Sequence, residues 1–265
     1  MIDGALPYLR CPVCRLGLTR VERSLRCPAG HSFDMAKQGY ADLTAGRMPH
    51  VGDTAEMVTD RAAFLAAGRY DFIADALVTA AGAAELVVDA GVGTGHYLAR
   101  VLDATPDAVG LGLDVSKPAL RRAARAHDRA AAVLADLWRP LPLADGVADV
   151  VVNVFAPRNG AEFHRVLRPG GRLLVVTPAP DHLAELVSAY GLIQVDPDKE
   201  ARVQDALGTR FEPVETLDLR RELDLTAVET ATLIGMTPSA RHVPHPPATP
   251  SHMTASVRLT TYSPI

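Results

Sequence analysis

The sequence predicts an α/β fold: a parallel sheet with helices on both faces, preceded by a small metal-held module. Three observations predict it. All three cysteines of the 265-residue chain lie within its first 27 positions, and a histidine follows at once. A glycine-rich turn, Gly91-x-Gly93-x-Gly95, comes directly after an apolar run that ends on Asp89. Beyond that turn, short apolar runs alternate with stretches of helical periodicity, the pattern of strands joined by crossover helices.

Composition sets the frame. The chain is 48% hydrophobic and 22% charged, ordinary for a globular protein with a real core. No apolar run approaches the ~18 residues of a membrane span, and "MIDGALPYLRCPVC" lacks the basic-then-apolar layout of a secretory leader. An odd number of cysteines argues against a disulfide framework, so the cytoplasm is the expected compartment, with no membrane partner. A net charge of −4 does not by itself indicate a nucleic-acid binder, but its distribution is uneven. The first 50 residues hold seven Lys and Arg against four acids, so the front is basic and the remainder acidic. Such asymmetry fits a front that meets an anion; a solvated, Arg-rich surface explains it equally.

The front comes first. Cys11-x2-Cys14 and Cys27-x3-His31 are two half-sites, each short enough for one turn to aim both side chains at a single ion. Pro12 and Pro28 stiffen those turns, and Gly30 relieves one. Three thiolates and an imidazole make a closed tetrahedral set, which is the pattern of a structural Zn2+. The segment between, "RLGLTRVERSLR", alternates as a small hairpin would. A redox CxxC would need a thioredoxin-like βαβ unit around it, and none is present. Residues 1–48 are therefore expected to form a zinc-binding module and 49–265 a second, larger domain.

Residues 56–82 carry apolar positions at helical spacing, interrupted by Gly68, and predict two helices with a kink. "ELVVDAGVGTGHYLARVL" then reads as strand, glycine turn and a helix from about His96. "AVGLGLDVS" is a second strand ending on Asp114, "PALRRAARAH" a helix, "AAVLADL" a third strand, "VADVVVNVF" a fourth and "AEFHRVL" a helix. "RPGG" predicts a turn before the strand "RLLVVTP", and residues 181–191 a helix with Asp181 as N-cap. The tail reads as a strand "ETLDLRREL", a helix "TAVETATLIGM", a proline-rich loop "VPHPPATPSHM" and a last strand "ASVRLTTY".

The glycine turn has three possible occupants. Without GK[ST] it is no P-loop, and its G-x-G-x-G spacing departs from the dinucleotide G-x-G-x-x-G. Asp89 before the turn, Asp114 at the end of the second strand and Asp136 after the third suit S-adenosylmethionine, a cationic cofactor without phosphate. Glycines admit the methionine part, Asp114 accepts from the ribose hydroxyls, and Asp136 meets the adenine amino group. Read singly, each aspartate is an ordinary strand-end cap. At the end of the fourth strand, "NVFAP" offers the amide of Asn153 and the backbone before Pro157 to the edge of a base; strand carboxyl ends are where such sheets place their chemistry.

The blocks "CPVC…CPAGHSFDMAKQGYADL", "GDTAEMVTDRAAFLAAGRY", "VVDAGVGTGHYL", "GLDVSKPALRRAA", "FAP", "LRPGGRLLVVTPAPDHLAEL" and "GMTP" run in order along most of the chain. On them the chain resembles the 23S ribosomal RNA (guanine-N1)-methyltransferases, which include housekeeping and tylosin-resistance enzymes. The run from His31 to Leu43 and "GDTAEM" are the specific part. The resemblance implies a Rossmann-like, class I S-adenosylmethionine-dependent methyltransferase fold, and zinc on Cys11, Cys14, Cys27 and His31. It implies cofactor contacts from Tyr70, from the turn through Gly95, His96 and Tyr97, from Asp114 and from His182. It further implies a homodimer whose zinc modules line a cleft for 23S rRNA, and a target guanine in one hairpin loop of domain II. Val92 and Thr94 stand where many members have Cys and Glu, and Thr94 would hydrogen-bond the cofactor less strongly.

The expected chemistry is in-line displacement at a sulfonium methyl, on a guanine flipped or presented in a loop because paired N1 faces its partner base. N1 must lose a proton; Asn153 is the candidate base-edge binder and Asp181 a weaker candidate for the proton. Two rivals are a small-molecule methyltransferase with zinc as a staple and a noncatalytic RNA-binding protein on a relic fold. A composition with three lysines among 27 basic residues fits GC-rich coding DNA and the resistance-linked branch.

Overall fold

The computed structural model describes residues 2–46, 48–241 and 249–265. The front begins with a short helix α1 (Ile2–Ala5) and three small strands, β1 (Thr19–Val21), β2 (Ser24–Arg26) and β3 (Ser32–Asp34), in an antiparallel sheet. The expected hairpin is β1–β2, turned by Glu22 at φ 51°. Next comes β4 (Ala41–Asp42), which pairs in parallel with a strand of the larger sheet. The boundary expected at residue 48 therefore does not separate two sheets: the chain enters the larger one before it.

Two helices follow, α2 (Ala55–Ala66) and α3 (Asp71–Ala81), separated at Gly68. Thr54 caps α2 by accepting from the Met57 N–H. Strands and helices then alternate: β5 (Leu86–Ala90), α4 (His96–Ala104), β6 (Val109–Asp114), α5 (Lys117–Ala123), β7 (Ala130–Leu134), β8 (Ala148–Val154), α6 (Gly160–Val166) and β9 (Leu167–Pro178). The rest is α7 (Ala184–Tyr190), α8 (Lys199–Leu207), β10 (Phe211–Leu225), α9 (Ala227–Gly235) and β11 (Ser251–Pro264).

The large sheet has eight strands in the order β10-β11-β9-β8-β5-β6-β7-β4. From β4 to β9 all pairings are parallel, while β11 pairs antiparallel with β9 and with β10. The sheet is thus mixed, its antiparallel margin built from a long hairpin whose arms are joined through α9. Alternate strand residues feed two cores. Val87, Val150, Val152 and Leu174 pack with α2, α3, α4 and α9 on one face. On the other, Val88, Val151, Leu173 and Val175 pack with α6, α8 and the front module, whose Leu9, Cys11, Leu25 and Cys27 belong to that core. Strand order reverses between β5 and β8, so the crevice at their carboxyl ends is the topological switch point.

Four expectations need correction. Asp181 does not cap α7; the helix starts at Ala184 after Leu183 at φ 56°, and the Asp181 carboxylate pairs with Arg220. The "RPGG" turn is absorbed as an irregularity within β9, whose register against β8 shifts between Ala148 and Val150. Strand β11 begins four residues before the expected "ASVRLTTY" because His252 and Met253 pair with Asp224 and Leu223. Helix α8 was not expected, since only Val203 and Leu207 are buried on a strongly polar segment. Most of the proline-rich loop, residues 242–248, lies outside the described residues.

Candidate active site and metal centre

The four metal-type side chains converge. The ligand atoms of Cys11, Cys14, Cys27 and His31 all lie within 4.8 Å of one another. Cys14 Sγ is 3.6 Å from Cys27 Sγ, and His31 Nδ1 is 3.6 Å from Cys11 Sγ and 3.3 Å from Cys27 Sγ. Ligands about 2.0–2.3 Å from one tetrahedral ion sit at about this mutual spacing, so the set fits Zn2+. Local backbone makes the fit. Arg15 at φ 65°, just after the first pair, and Gly30 at φ 85°, inside the second, turn the chain back, with the Arg15 N–H donating to Cys11 O and the Gly30 N–H to Cys27 O. Burial pushes the Cys27 thiol up, but hydrogen bonds from the His31 backbone and ring outweigh it and bring it down to about 6, toward the thiolate a metal requires. The module is clasped to the larger domain by Arg15, whose guanidinium donates to Leu141 O at 2.7 Å and Leu143 O at 2.6 Å.

At the switch point, Gly91, Gly93 and Gly95 all have positive φ (95°, 54° and 86°). The turn is also tightly enclosed. A Cβ on Gly91 would run into the Ala156 methyl, and one on Gly95 would lie 2.7 Å from the Ala126 Cβ. Asp114 organises the turn from β6: its Oδ2 accepts from the Gly93 N–H at 2.9 Å and its Oδ1 from the Ser116 N–H at 2.7 Å. Each oxygen keeps a second lone pair for a ligand. Asp89 is buried beside it. Burial first, and then the charge of Asp114, push the Asp89 carboxyl up to about 8. Burial likewise raises Asp114. Two buried acids that repel one another form a cradle suited to a cation, which S-adenosylmethionine is and a dinucleotide pyrophosphate is not.

The "GDTAEM" block now has a physical role. A Cβ on Gly52 would lie 2.7 Å from the Ser116 Cβ, and the Ser116 hydroxyl donates to Asp53 O at 2.8 Å. Arg61, one helical face further along α2, pairs with Asp53 at 2.7 Å and donates to Met236 O at 2.8 Å. Its guanidinium faces Gly93, the nearest atom a Cβ there would meet at 3.5 Å. The sequence reading missed Arg61; its position four residues past "GDTAEM", in the same matching block, was the available signal.

Asp136 is buried, with Oδ1 accepting from the Trp138 N–H and Oδ2 bonded to His50 Nδ1 at 2.9 Å. Tyr70 and His182 meet although one ends the loop before α3 and the other precedes α7. The Ser256 N–H donates to His182 Nδ1 at 3.1 Å, which puts the ring proton on Nε2, 3.5 Å from the Tyr70 hydroxyl. Burial lowers the His182 pKa to about 4, so the ring is neutral at pH 7. Burial also raises both tyrosines, with Tyr97 further raised by Tyr70. The His96 ring stacks edge-on against Tyr97, with Nε2 3.8 Å from an Asp71 oxygen at the start of α3.

Asn153 departs from its expected role. It is fully buried, and its amide N–H groups donate to Ala90 O and Pro157 O, both at 2.9 Å. Its Oδ1 is enclosed without a partner among the described residues. The side chain ties the end of β5 to the "FAP" loop and positions it, and both of its N–H groups are taken by the backbone. What the loop presents instead is Phe155. This residue sits at φ 51°, a region bulky residues rarely occupy, and it is 44% exposed. Its centroid lies 6.0 Å from that of His182. No sequence signal separated Phe155 from an ordinary strand-end aromatic, because positive φ and exposure are properties of the folded loop.

Comparison with known proteins agrees with both centres. Residues 9–45 match a zinc-ribbon family described as RlmA, N-terminal, and residues 87–171 match a methyltransferase domain family. The chain is 50% identical to the 23S rRNA (guanine(748)-N(1))-methyltransferase of Streptomyces fradiae, over 91% of this chain and 89% of the relative. It is 56% identical, over the full length of both, to a protein of Micromonospora griseorubida provisionally named a 23S rRNA (guanine-N(1)-)-methyltransferase. Among solved structures, a complex of the Haloferax volcanii Trm112 methyltransferase activator with a methyltransferase matches at a TM-score of 0.51 and 19% identity, covering 81% of this chain and 99% of that one; this likeness concerns the fold alone. With its Cys3His zinc ribbon and its methyltransferase domain, the chain belongs to the family of S-adenosylmethionine-dependent 23S rRNA (guanine-N1)-methyltransferases.

Proposed function

We propose that the protein methylates N1 of a guanine in the domain II hairpin loop of 23S rRNA, at the position of guanine 748. The observation that supports this most is the 50% identity over 91% of the chain to the Streptomyces fradiae enzyme named for that guanine. Bound S-adenosylmethionine supplies an electrophilic methyl on a sulfonium. The protein's own residues bind and orient. The free lone pairs of Asp114 accept from ribose hydroxyls, Asp136 meets the adenine amino group after His50 yields, and the Asp89 carboxylate faces the cationic methionine part. The glycine turn lets its backbone approach. Neutral Tyr70, Tyr97 and His182 wall the site without adding charge.

On the substrate side, the flipped guanine lies on the exposed face of Phe155, with its ring held in place by the Asn153 brace. Asp181 is a poor acceptor for the N1 proton, since its bond from Arg220 holds its carboxyl below the usual range. Residues 1–48 serve as the RNA-recognition module, and the protein acts in the cytoplasm as a homodimer, where the product methyl group protects against tylosin-type macrolides. Among the described residues no helix is long and apolar enough to cross a membrane.

The test is transfer of labelled methyl from S-adenosylmethionine to unmodified 23S rRNA, with the product mapped by mass spectrometry. A single N1-methylguanine at position 748 is the expected result. Methylation of a neighbouring guanine would move the assignment within the loop, and no incorporation into rRNA would refute it. Light scattering tests the dimer, and tylosin sensitivity of a host expressing the protein tests protection.

A further inference from the structure

Among the described residues, the half-buried arginines are, with one exception, satisfied. Arg61 pairs with Asp53, Arg69 with Glu229, and Arg165 with Glu162 and Asp145, while Arg129 donates to the carbonyls of Leu102, Thr105 and Ala108. Arg158 is the exception. It has no hydrogen bond or ion pair among the described residues, and its Nη1 is enclosed without a partner. A guanidinium nitrogen withdrawn from water and left unpaired is costly, so such a group calls for an anion.

The surroundings do not supply one. The groups within electrostatic reach of Arg158 are the phenol of Tyr262 and another cation, Lys199 at the start of α8, which burial and then Arg158 itself push below the usual lysine value against the pull of Asp196. Burial also lowers Arg158. The acids nearby are engaged elsewhere: Asp196 pairs with Arg202 at 2.9 Å, and Glu200 pairs with Arg258. The backbone at Arg158 is held on both sides. Pro157 O accepts from Asn153, and the Asn159 side chain donates to Leu137 O at 3.0 Å while accepting from the Glu162 N–H to cap α6. Arg158 is thus fixed three residues beyond Phe155 on the same loop, with the cation of Lys199 within electrostatic reach from the start of α8.

We infer that Arg158 and Lys199 bind a phosphodiester of the substrate RNA beside the nucleotide being methylated. The inference rests on the rRNA reading above. A planar guanidinium matches two phosphate oxygens, and the adjacent ammonium adds a point charge. Phosphate contacts fix register without reading sequence, which is what a loop carrying a base platform needs.

The test uses the full-length zinc-loaded protein and unmodified 23S rRNA. Arg158→Met keeps the volume and removes the charge; removing an unpaired cation is expected to leave thermal stability equal or higher. Its Kd for RNA is expected to rise about tenfold, with the slope of log K against log salt reduced by about one. Lys199→Ala is expected to give a smaller shift in the same direction, and Arg158→Lys to recover part of the loss. The Kd for S-adenosylmethionine should not move. Wild-type RNA affinity and salt slope in Arg158→Met, with methylation intact, would overturn the inference and leave the function standing. A wild-type protein that does not methylate rRNA at all would instead refute the function. Inorganic phosphate at matched ionic strength separates the sources: if it stabilises wild type but not Arg158→Met while RNA binding is equal in both, the site takes free phosphate and the RNA assignment fails.

Discussion

The two centres of this molecule are held together by different physics. In the front module, β1 is exposed at every position and β2 and β3 run three residues each. Such strands cannot bury enough apolar surface to stand alone. In the sheet, β5, β7 and β8 are buried at every position. A metal does for the first what apolar burial does for the second. The module leans on four ligand side chains and a few core residues such as Leu9 and Leu25, the sheet on far more, so the same insult should act on them unequally.

The largest expected effect follows from removing the metal. Zinc binding contributes ~10–16 kcal/mol in finger peptides, so chelation or Cys27→Ser should erase hydrogen-exchange protection in β1–β3 while β5 to β9 keep theirs. Methylation of rRNA should disappear and S-adenosylmethionine binding should survive. Simultaneous melting of both regions would show that they form one cooperative unit.

Next in size is Gly91→Ala, which strains a φ of 95° and forces a methyl into Ala156. A loss of about 2–4 kcal/mol is expected, with cofactor binding abolished. Gly146→Ala, at φ 60° with nothing within 4 Å, should lose only about 1 kcal/mol. Equal melting temperatures for the two variants would contradict the enclosed turn.

Phe155→Ala should lower kcat/KM for rRNA about 10- to 100-fold, since stacking on one base contributes ~1–3 kcal/mol. The cofactor Kd should stay put, because the ring serves the other ligand. A weakened cofactor and unchanged RNA kinetics would place Phe155 on the wrong side of the crevice.

The smallest effect is one of pH. Asp89 is pushed up to about 8 without ligand, so below that pH it is protonated and a cation must displace the proton. Affinity for S-adenosylmethionine should therefore rise with pH between 6 and 8, by at most about tenfold per unit, and level off above. Asp89→Asn should flatten the profile. For stability the sign is opposite: an acid with a raised pKa favours the fold below its unfolded value near 4, and that contribution is lost as pH climbs toward 8. Calorimetry of the cofactor-free protein over this range checks it.

Much of this was legible in the sequence. The metal set was readable because thiolate spacing is a local property, and the strand-turn-helix around Gly91 because periodicity changes there from two to 3.6. The pair of Asp89 and Asp114 followed from position at strand ends. What escaped depended on partners distant in sequence. Asn153 looked like a free amide until Ala90 O claimed one of its N–H groups, 63 residues away. Asp181 had the composition of a cap, but Arg220, 39 residues on, took its carboxylate. Tyr70 and His182 carry no local signal that they touch, since 112 residues separate them.

The grip of Arg15 on Leu141 O and Leu143 O has a consequence for anyone who would cut and splice this chain. Arg15 owes its reach to a left-handed backbone inside the metal turn, and the carbonyls it grips lie on the approach to β8. A chimera that exchanged residues 9–45 for another ribbon would bring a guanidinium with no matching socket, or a socket with no guanidinium. The transferable cartridge is the ribbon together with the stretch from Leu141 to Leu143, two pieces more than 120 residues apart that work as one joint.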